Sequence, residues 1–439
     1  MQAGFQLSGV LLKRTVGGRP ANLMRPAGWA SGQDVSSSGH GVVGVSEMVA
    51  KARKKEEGPY PFSVEEYESR LKRVRDGLQE IRADFLLVTS SVDIFYLSNF
   101  QNSGQEAFQC LIVPVDGPPH FVLRRLYFTA VYGLSWIKDG TPVPDTGEHL
   151  DVLVACLRQM GADRARIGYQ DRSLSLPPAI LDGLRKALPE ASLVPASGLV
   201  ERCRAIKSPA EISYIRRAAD LSVKGMEAGI AEIRPGADEN QVAAAVYDTM
   251  VRAGSEYVSA QPIVVSGSRS PPYRCVTEGR VIQDGESVWF EASASVHRYG
   301  GPIMRTISVG EPSADLKKAS DVMLEALDRL LDAAGPGVTA GEVDRAARSF
   351  VEERGYGQYW LHRSGYSVGV GFPPSWTEGE VMDLKPGDRR LLLPGMVFHS
   401  VPWILLPSVG AVGNSETWTV TDDGIEVLTD TPRELRIRR

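Results

Sequence analysis

The sequence predicts an α+β protein in which a small α/β domain precedes a larger α+β domain built twice over. Three observations carry this. Strand and helix patterns alternate between residues 60 and 200. A capping box, Ser208-Pro209-Ala210-Glu211, opens a long helix with Ile212, Ile215, Ala219 and Met226 on one face. Beyond it, two phrases return in order. PGADENQVAAA at 235–245 matches PGVTAGEVDRA at 336–346, and DGESVWFE at 284–291 matches PGMVFHSV at 394–401, at offsets of 101 and 110 residues.

The alternation begins at Pro61. Ser63 and Glu66 are spaced as a capping box, followed by apolar residues at helical period (Tyr67, Leu71, Val74, Leu78). Strands are expected at 84–89, 108–115 and 120–125, the last two joined by the turn DGPP, with a helix around 150–160 and a strand at 167–170. The chain is thus divided into a weakly ordered tail (1–57), an α/β domain (58–205), a duplicated domain (206–432) and a short tail (433–439). The first fifty-odd residues are rich in Gly, Ser and Pro, carry scattered basic residues and have no acid before Asp34. That composition fits a disordered tail or overlong start, with a transit peptide as the alternative.

Composition narrows the function classes. Of 439 residues 43% are hydrophobic and 23% charged, enough apolar content for proper cores. Forty-nine Lys and Arg against 54 Asp and Glu give a net charge of -5 without long single-sign runs, which excludes a dedicated nucleic-acid or membrane-surface binder. Cys110, Cys156, Cys203 and Cys275 lack the short spacings of a disulfide framework or thiolate zinc site. No apolar run reaches the length of roughly 18–20 residues that a membrane helix needs, so a cytoplasmic location is expected.

If the repeats share a pseudo-twofold axis, the ends of their strands converge near it. Glu291 ends VWFE, flanked by Trp289 and Phe290, and its repeat counterpart is Val401. Glu416 opens the alternating strand ETWTVT, and His297, His362 and His399 fall nearby. A buried carboxylate is costly unless paired, protonated or functional, so Glu291 is either a salt-bridge partner or a working group. The run GYSVGVGFPPSW at 365–376 reads as a strand and Pro loop whose glycines could admit a ligand against the backbone.

From about 60 to 432 these residues resemble the pita-bread hydrolases, the group of creatinase, prolidases, Xaa-Pro aminopeptidases and methionine aminopeptidases. The resemblance rests on RAIKSPAEISYIRRAADL (204–221), MRT (304–306) with Val309-Gly310, LHRSGYSVGVG (361–371), PGMVF (394–398) and SETWTVTDDGIEVLT (415–429), all in order. It implies a pita-bread catalytic domain, a creatinase-like amino-terminal domain and a homodimer. The family's two-metal ligands, two Asp, one His and two Glu, would fall on Glu291, Pro302, Tyr366, Val401 and Glu416. Pro302 and Val401 cannot ligate, and two carboxylates fall short of a tight catalytic site. The resemblance therefore leans to the metal-independent branch, and within it to ectoine hydrolase through WFEASASVHRYGGPIMRT, HRSGY, GFPPSWTEGE and GMVFHSVPW.

The resemblance implies a hydrolase without cofactor that opens a C–N bond of a small cyclic amidine, with Glu291, Glu416, His362 and His399 as catalytic candidates. Tyr273, Tyr366, Trp376, Trp403, Arg305 and Arg124 are the substrate-binding candidates; Tyr273 stands where relatives carry a substrate-facing His. The partners implied are a small-molecule substrate and a second copy of the chain, whose segment 99–108 and Arg124 or Arg125 would complete the pocket. A binding protein without catalysis and a divergent Xaa-Pro peptidase or lyase are the alternatives.

Overall fold

The computed structural model describes residues 60–105, 107–267, 277–378 and 381–439. Tyr273 and the amino-terminal tail lie outside the described residues. In the amino-terminal domain six strands form one sheet, in the order Gly140–Val143, His120–Arg124, Gln109–Pro114, Phe85–Val88, Arg166–Tyr169 and Ser192–Pro195. The two central pairings are an antiparallel one with Gln109–Pro114 and a parallel one with Arg166–Tyr169. Side chains alternate between the faces. Leu86, Val88, Leu111 and Val113 pack with the helix Val64–Glu80, while Phe85, Leu87, Cys110 and Ile112 pack with the helix His149–Gln159.

The start of the helix Val64–Glu80 forms half of its expected box. Ser63 Oγ accepts from the Glu66 amide, but the Glu66 carboxylate turns away to Arg70 (2.6 Å) and to Ser208 Oγ (2.8 Å). A local capping residue is thereby recruited to join the two domains. The Ser208 box forms in full, and Glu211 also accepts a hydrogen bond from Tyr299.

The duplication is visible in the backbone. Helices Pro209–Glu232 and Glu239–Arg252 cover the strands Ile263–Ser266, Ser287–Ala292 and Ile303–Val309. Helices Ala314–Ala333 and Ala340–Glu353 cover Val397–Ser400 and Glu416–Val420, the neighbours in the sheet that also holds Gly365–Phe372. The bridge Asp238 to Val281 in the first half recurs as Thr339 to Leu391 in the second, at the offsets read from the sequence. Hydrogen bonds from Gly236 to Ile282 and from Gly337 to Leu392 recur in the same way. Each half has its own apolar core, and a third cluster containing Trp289, Met304, Tyr366, Val401 and Trp403 lies where the two sheets meet.

Two expectations are corrected. Residues 433–439 were read as a tail, yet Arg436–Arg438 pairs in parallel with Ile303–Val309, and Arg436 donates to Glu227 at 2.5 Å. Its basic composition conceals a strand whose charges have partners across the fold. The glycines of GYSVGVG serve neighbouring chain rather than a ligand. A Cβ at Gly369 would stand 2.5 Å from Glu378, and one at Gly365 would stand 2.9 Å from the carbonyl of His399. Among the described residues no helix is long and apolar enough to cross a membrane.

A buried ion network joins the domains. Arg204 donates to Asp93 (2.7 Å) and Glu378 (3.2 Å), and Lys207 donates to Glu378 (2.6 Å). Burial alone would raise the Glu378 carboxyl, but Lys207 and Arg204 outweigh it and hold it below the usual range. Glu378→Gln leaves two buried cations short of an anion, which costs about 3–5 kcal/mol. The expected result is a melting temperature lower by several degrees, whereas Arg216→Ala, at the exposed pair with Glu426, should change stability by less than about 1 kcal/mol.

Candidate active site

Glu291 occupies the strand Ser287–Ala292, flanked in register by Ile263 and Met304. The two-residue period puts Trp289 and Glu291 on one face and Phe290 on the other, where Phe290 packs under the first helix pair. Gly229 of that helix permits the approach, since a Cβ there would lie 2.6 Å from the Phe290 ring. Tyr366 and His399 are register partners on the facing strands Gly365–Phe372 and Val397–Ser400. Together these elements enclose a cavity of about 340 Å³ lined by Trp289, Glu291, Met304, His362, Arg363, Tyr366, Val401 and Trp403.

From Tyr366 at the cavity wall runs a string of hydrogen bonds. The Trp376 indole donates to the Tyr366 hydroxyl at 2.9 Å, that hydroxyl shares a hydrogen bond with His399 Nδ1 at 2.9 Å, and His399 Nε2 meets Ser415 Oγ at 2.6 Å. A neutral imidazole has one donor and one acceptor, and two hydroxyls satisfy it in either tautomer. Burial pushes His399 down to about 3, with the Arg305 charge adding to the shift. It is therefore a neutral ring 3.9 Å from the Glu291 carboxylate.

His362 lies at the cavity wall, stacked on Trp403 with centroids 4.4 Å apart. Its Nδ1 is 2.5 Å from the Arg363 carbonyl and its Nε2 is 3.1 Å from the Trp403 carbonyl. These carbonyls favour a second ring proton, but burial prevails and brings His362 down to about 4. Trp403 is also 5.9 Å from Trp289, so the cavity has two indole walls.

The structure separates the remaining candidates. Glu416 and Arg305 do not line the cavity; they face each other behind it at 2.7 Å, both nearly inaccessible. Arg305 also donates to the carbonyls of Met304, Ser415 and Thr431, and Glu416 accepts from the Thr429 hydroxyl. Burial raises the Glu416 carboxyl and lowers the Arg305 guanidinium, while each pulls the other back toward its charged form. Trp376 supports Tyr366 from behind rather than offering its ring to the cavity. Arg124 is on the amino-terminal sheet, paired with Asp145 at 2.6 Å on the surface. Sequence reasoning did not single out Arg363, Met304 or Ser415. Arg363 follows His362 in a loop, where no periodicity shows which way a side chain points.

Comparison with known proteins now gives the class. Residues 213–422 match Metallopeptidase family M24, and residues 70–206 match the Creatinase/Prolidase N-terminal domain. The chain belongs to the M24 family, with the pita-bread fold, and is a hydrolase of that family. It is similar to the ectoine hydrolase of Halomonas elongata, 27% identical over 86% of this chain and 98% of that one. It is also similar to an uncharacterized hydrolase/peptidase of Sinorhizobium fredii, 32% identical with the same coverage. Among solved structures, the Xaa-Pro dipeptidase from Bacillus anthracis superposes with a TM-score of 0.73 at 27% identity, covering 85% of this chain and all of that one.

The residues do not fit the metal pair that the family name implies. Of the five positions that the resemblance assigns to metal ligands, Glu291, Tyr366 and the apolar Val401 line the cavity, while Glu416 is committed to Arg305 and Thr429. Among the described residues no three His, Cys, Asp or Glu side chains form a metal-holding group. The charge opposite Glu416 is a guanidinium.

The two neutral histidines set a pH dependence. In the unfolded chain they take up protons near the ordinary value of about 6.5. In the folded chain they resist until about 4 for His362 and about 3 for His399. The unfolded state therefore binds more protons in this window, so their contribution to stability is complete above about pH 6.5 and is lost as pH falls toward those values. The melting temperature should fall as pH is lowered from 6.5 to 4, and the fall should be shallower in His399→Asn.

Proposed function

We propose that the chain is a metal-independent hydrolase that opens a C–N bond of a small cyclic amidine, with ectoine as the best candidate and N-acetyl-diaminobutyrate as product. The observation that carries this reading is the cavity itself. One carboxylate, Glu291, faces two indole walls, a surface suited to a delocalised planar cation. An amidinium brings its own positive charge to the reacting carbon, so no Lewis acid is required to polarise it.

In this reading Glu291 pairs with the amidinium and either takes a proton from the attacking water or attacks the amidine carbon itself. Collapse of the tetrahedral species breaks the ring C–N bond, and the proton returns to the leaving nitrogen. The product is an amide and an amine, with one water consumed. Tyr366 holds the developing oxygen through its hydroxyl, and the string from Trp376 through His399 to Ser415 keeps that hydroxyl in place. Glu416 acts through Arg305 and the strand register rather than by touching substrate.

The reading includes a homodimer in the cytoplasm, in which the partner's amino-terminal domain closes the pocket. Leu361, 64% exposed beside His362, offers an apolar rim for it. A peptidase reading draws on the Xaa-Pro dipeptidase relatives, but it needs metal donors at positions held by Pro302 and Val401.

Glu291→Gln should retain the fold and substrate binding yet lose at least about a hundredfold in turnover. A role as nucleophile predicts in addition an ectoine-derived adduct on Glu291 in the wild-type protein, detectable by mass spectrometry. A variant as active as its parent would remove Glu291 from the chemistry.

A further inference from the structure

We infer that Arg363 is the anchor for a substrate carboxylate, and that the cavity selects small zwitterions with a cationic end at Glu291 and an anionic end at Arg363. The inference rests on the reading of this cavity as the place of hydrolysis.

Charge is the first argument. Of the described residues that line the cavity, only Glu291, His362 and Arg363 are titratable or permanently charged, apart from the Tyr366 phenol, and burial keeps His362 neutral. One anion and one cation remain, each on its own strand or loop. The arginines expected from the sequence cannot take this role. Arg305 is enclosed with Glu416, and Arg124 is held on the surface by Asp145.

The second argument is how Arg363 is held. Its guanidinium lies 4.7 Å from the Tyr366 ring centroid, a contact that fixes the group at the wall without using its N–H donors. Its nearest anion is Asp383 Oδ1 at 3.2 Å, and Asp383 is shared with Lys385 at 3.3 Å. That Asp383 oxygen receives no hydrogen bond of acceptable geometry, so the contact is a charge pairing that leaves the planar fork of Arg363 available. A guanidinium fork with open donors matches a carboxylate in two parallel hydrogen bonds. Arg363 is about one-third exposed, which puts it at the mouth, while Glu291 is buried within.

Size is the third. A volume of about 340 Å³ is near the lower end for ligand cavities and suits one small molecule rather than an extended peptide. A substrate that spans Glu291 to Arg363 must carry both charges on a compact frame, as a cyclic amino-acid-like amidine does.

The test is calorimetric binding of ectoine, ectoine carboxamide, Ala-Pro and Ala-Pro amide to the wild-type chain, Arg363→Gln and Arg363→Lys, with turnover measured in parallel. Ectoine should bind Arg363→Gln about 10–100-fold more weakly than wild type, the range for losing a charged hydrogen-bonded pair. The carboxamide should bind both proteins weakly and almost equally, so that the two losses are not additive, and Arg363→Lys should recover part of the affinity. KM should rise more than kcat falls. If Ala-Pro shows this pattern and ectoine does not bind, the amidine reading falls and the anchor stands. If ectoine is bound and hydrolysed but Arg363→Gln still prefers the acid to the carboxamide, the anchor is overturned and the reading stands. Binding of none of the four to the wild type overturns both. Should Arg363→Gln not fold, a wild-type preference for acid over carboxamide below about threefold is sufficient to reject the anchor.

Discussion

The Arg305–Glu416 ion pair is the constraint on which the rest of the site depends. Both groups are almost wholly buried, 2.7 Å apart, directly behind the cavity. Taking two ions out of water is costly, and their attraction offsets that cost only where the remaining donors and acceptors are satisfied. Here they are, because Arg305 reaches the carbonyls of Met304, Ser415 and Thr431 while Glu416 takes the Thr429 hydroxyl. The pair thus ties the strand Ile303–Val309 of the first half to Glu416–Val420 of the second and to the chain beyond it. It also commits Glu416 to a guanidinium, and Glu291 is the carboxylate that lines the cavity among the described residues.

Around this pair the duplicated architecture does two jobs. The repeated Pro-Gly turn, capped helix and buried strand build two independent cores, and the cluster between them supplies aromatic walls. The string Trp376, Tyr366, His399 and Ser415 crosses three strands of the second half, so the Tyr366 side chain at the cavity wall is positioned by rigid sheet. The amino-terminal domain is fastened separately, through Arg204, Lys207, Asp93 and Glu378, at a distance in sequence that no local pattern reports.

What was legible in the sequence follows that division between local and distant. The helices opened by Ser63 and Ser208 and the strand carrying Glu291 were readable because capping and period-two patterns are local chemistry. The duplication was readable because its two halves repeat the same turn phrases. The Glu66 carboxylate does not close the expected box because it pairs with Arg70, one turn along the same helix, and with Ser208, which is 142 residues away on another element. Arg305 and Glu416 were each noticed, but 111 residues separate them and nothing short-range says that they neutralise each other. Arg363 was passed over for its histidine neighbour, since loops carry no periodicity that orients side chains. The basic end at 436–438 looked like a solvated tail because the carboxylate that receives it, Glu227, lies on a helix of the first half.

The central claim is that protein side chains open the amidine ring with no metal ion. NMR of ectoine incubated with protein dialysed against a strong chelator, with metal content measured on the same sample, tests it directly. The account predicts conversion to N-acetyl-diaminobutyrate at an unchanged rate, with metal far below one ion per chain. Turnover that disappears on chelation and returns with a stoichiometric divalent metal would contradict it.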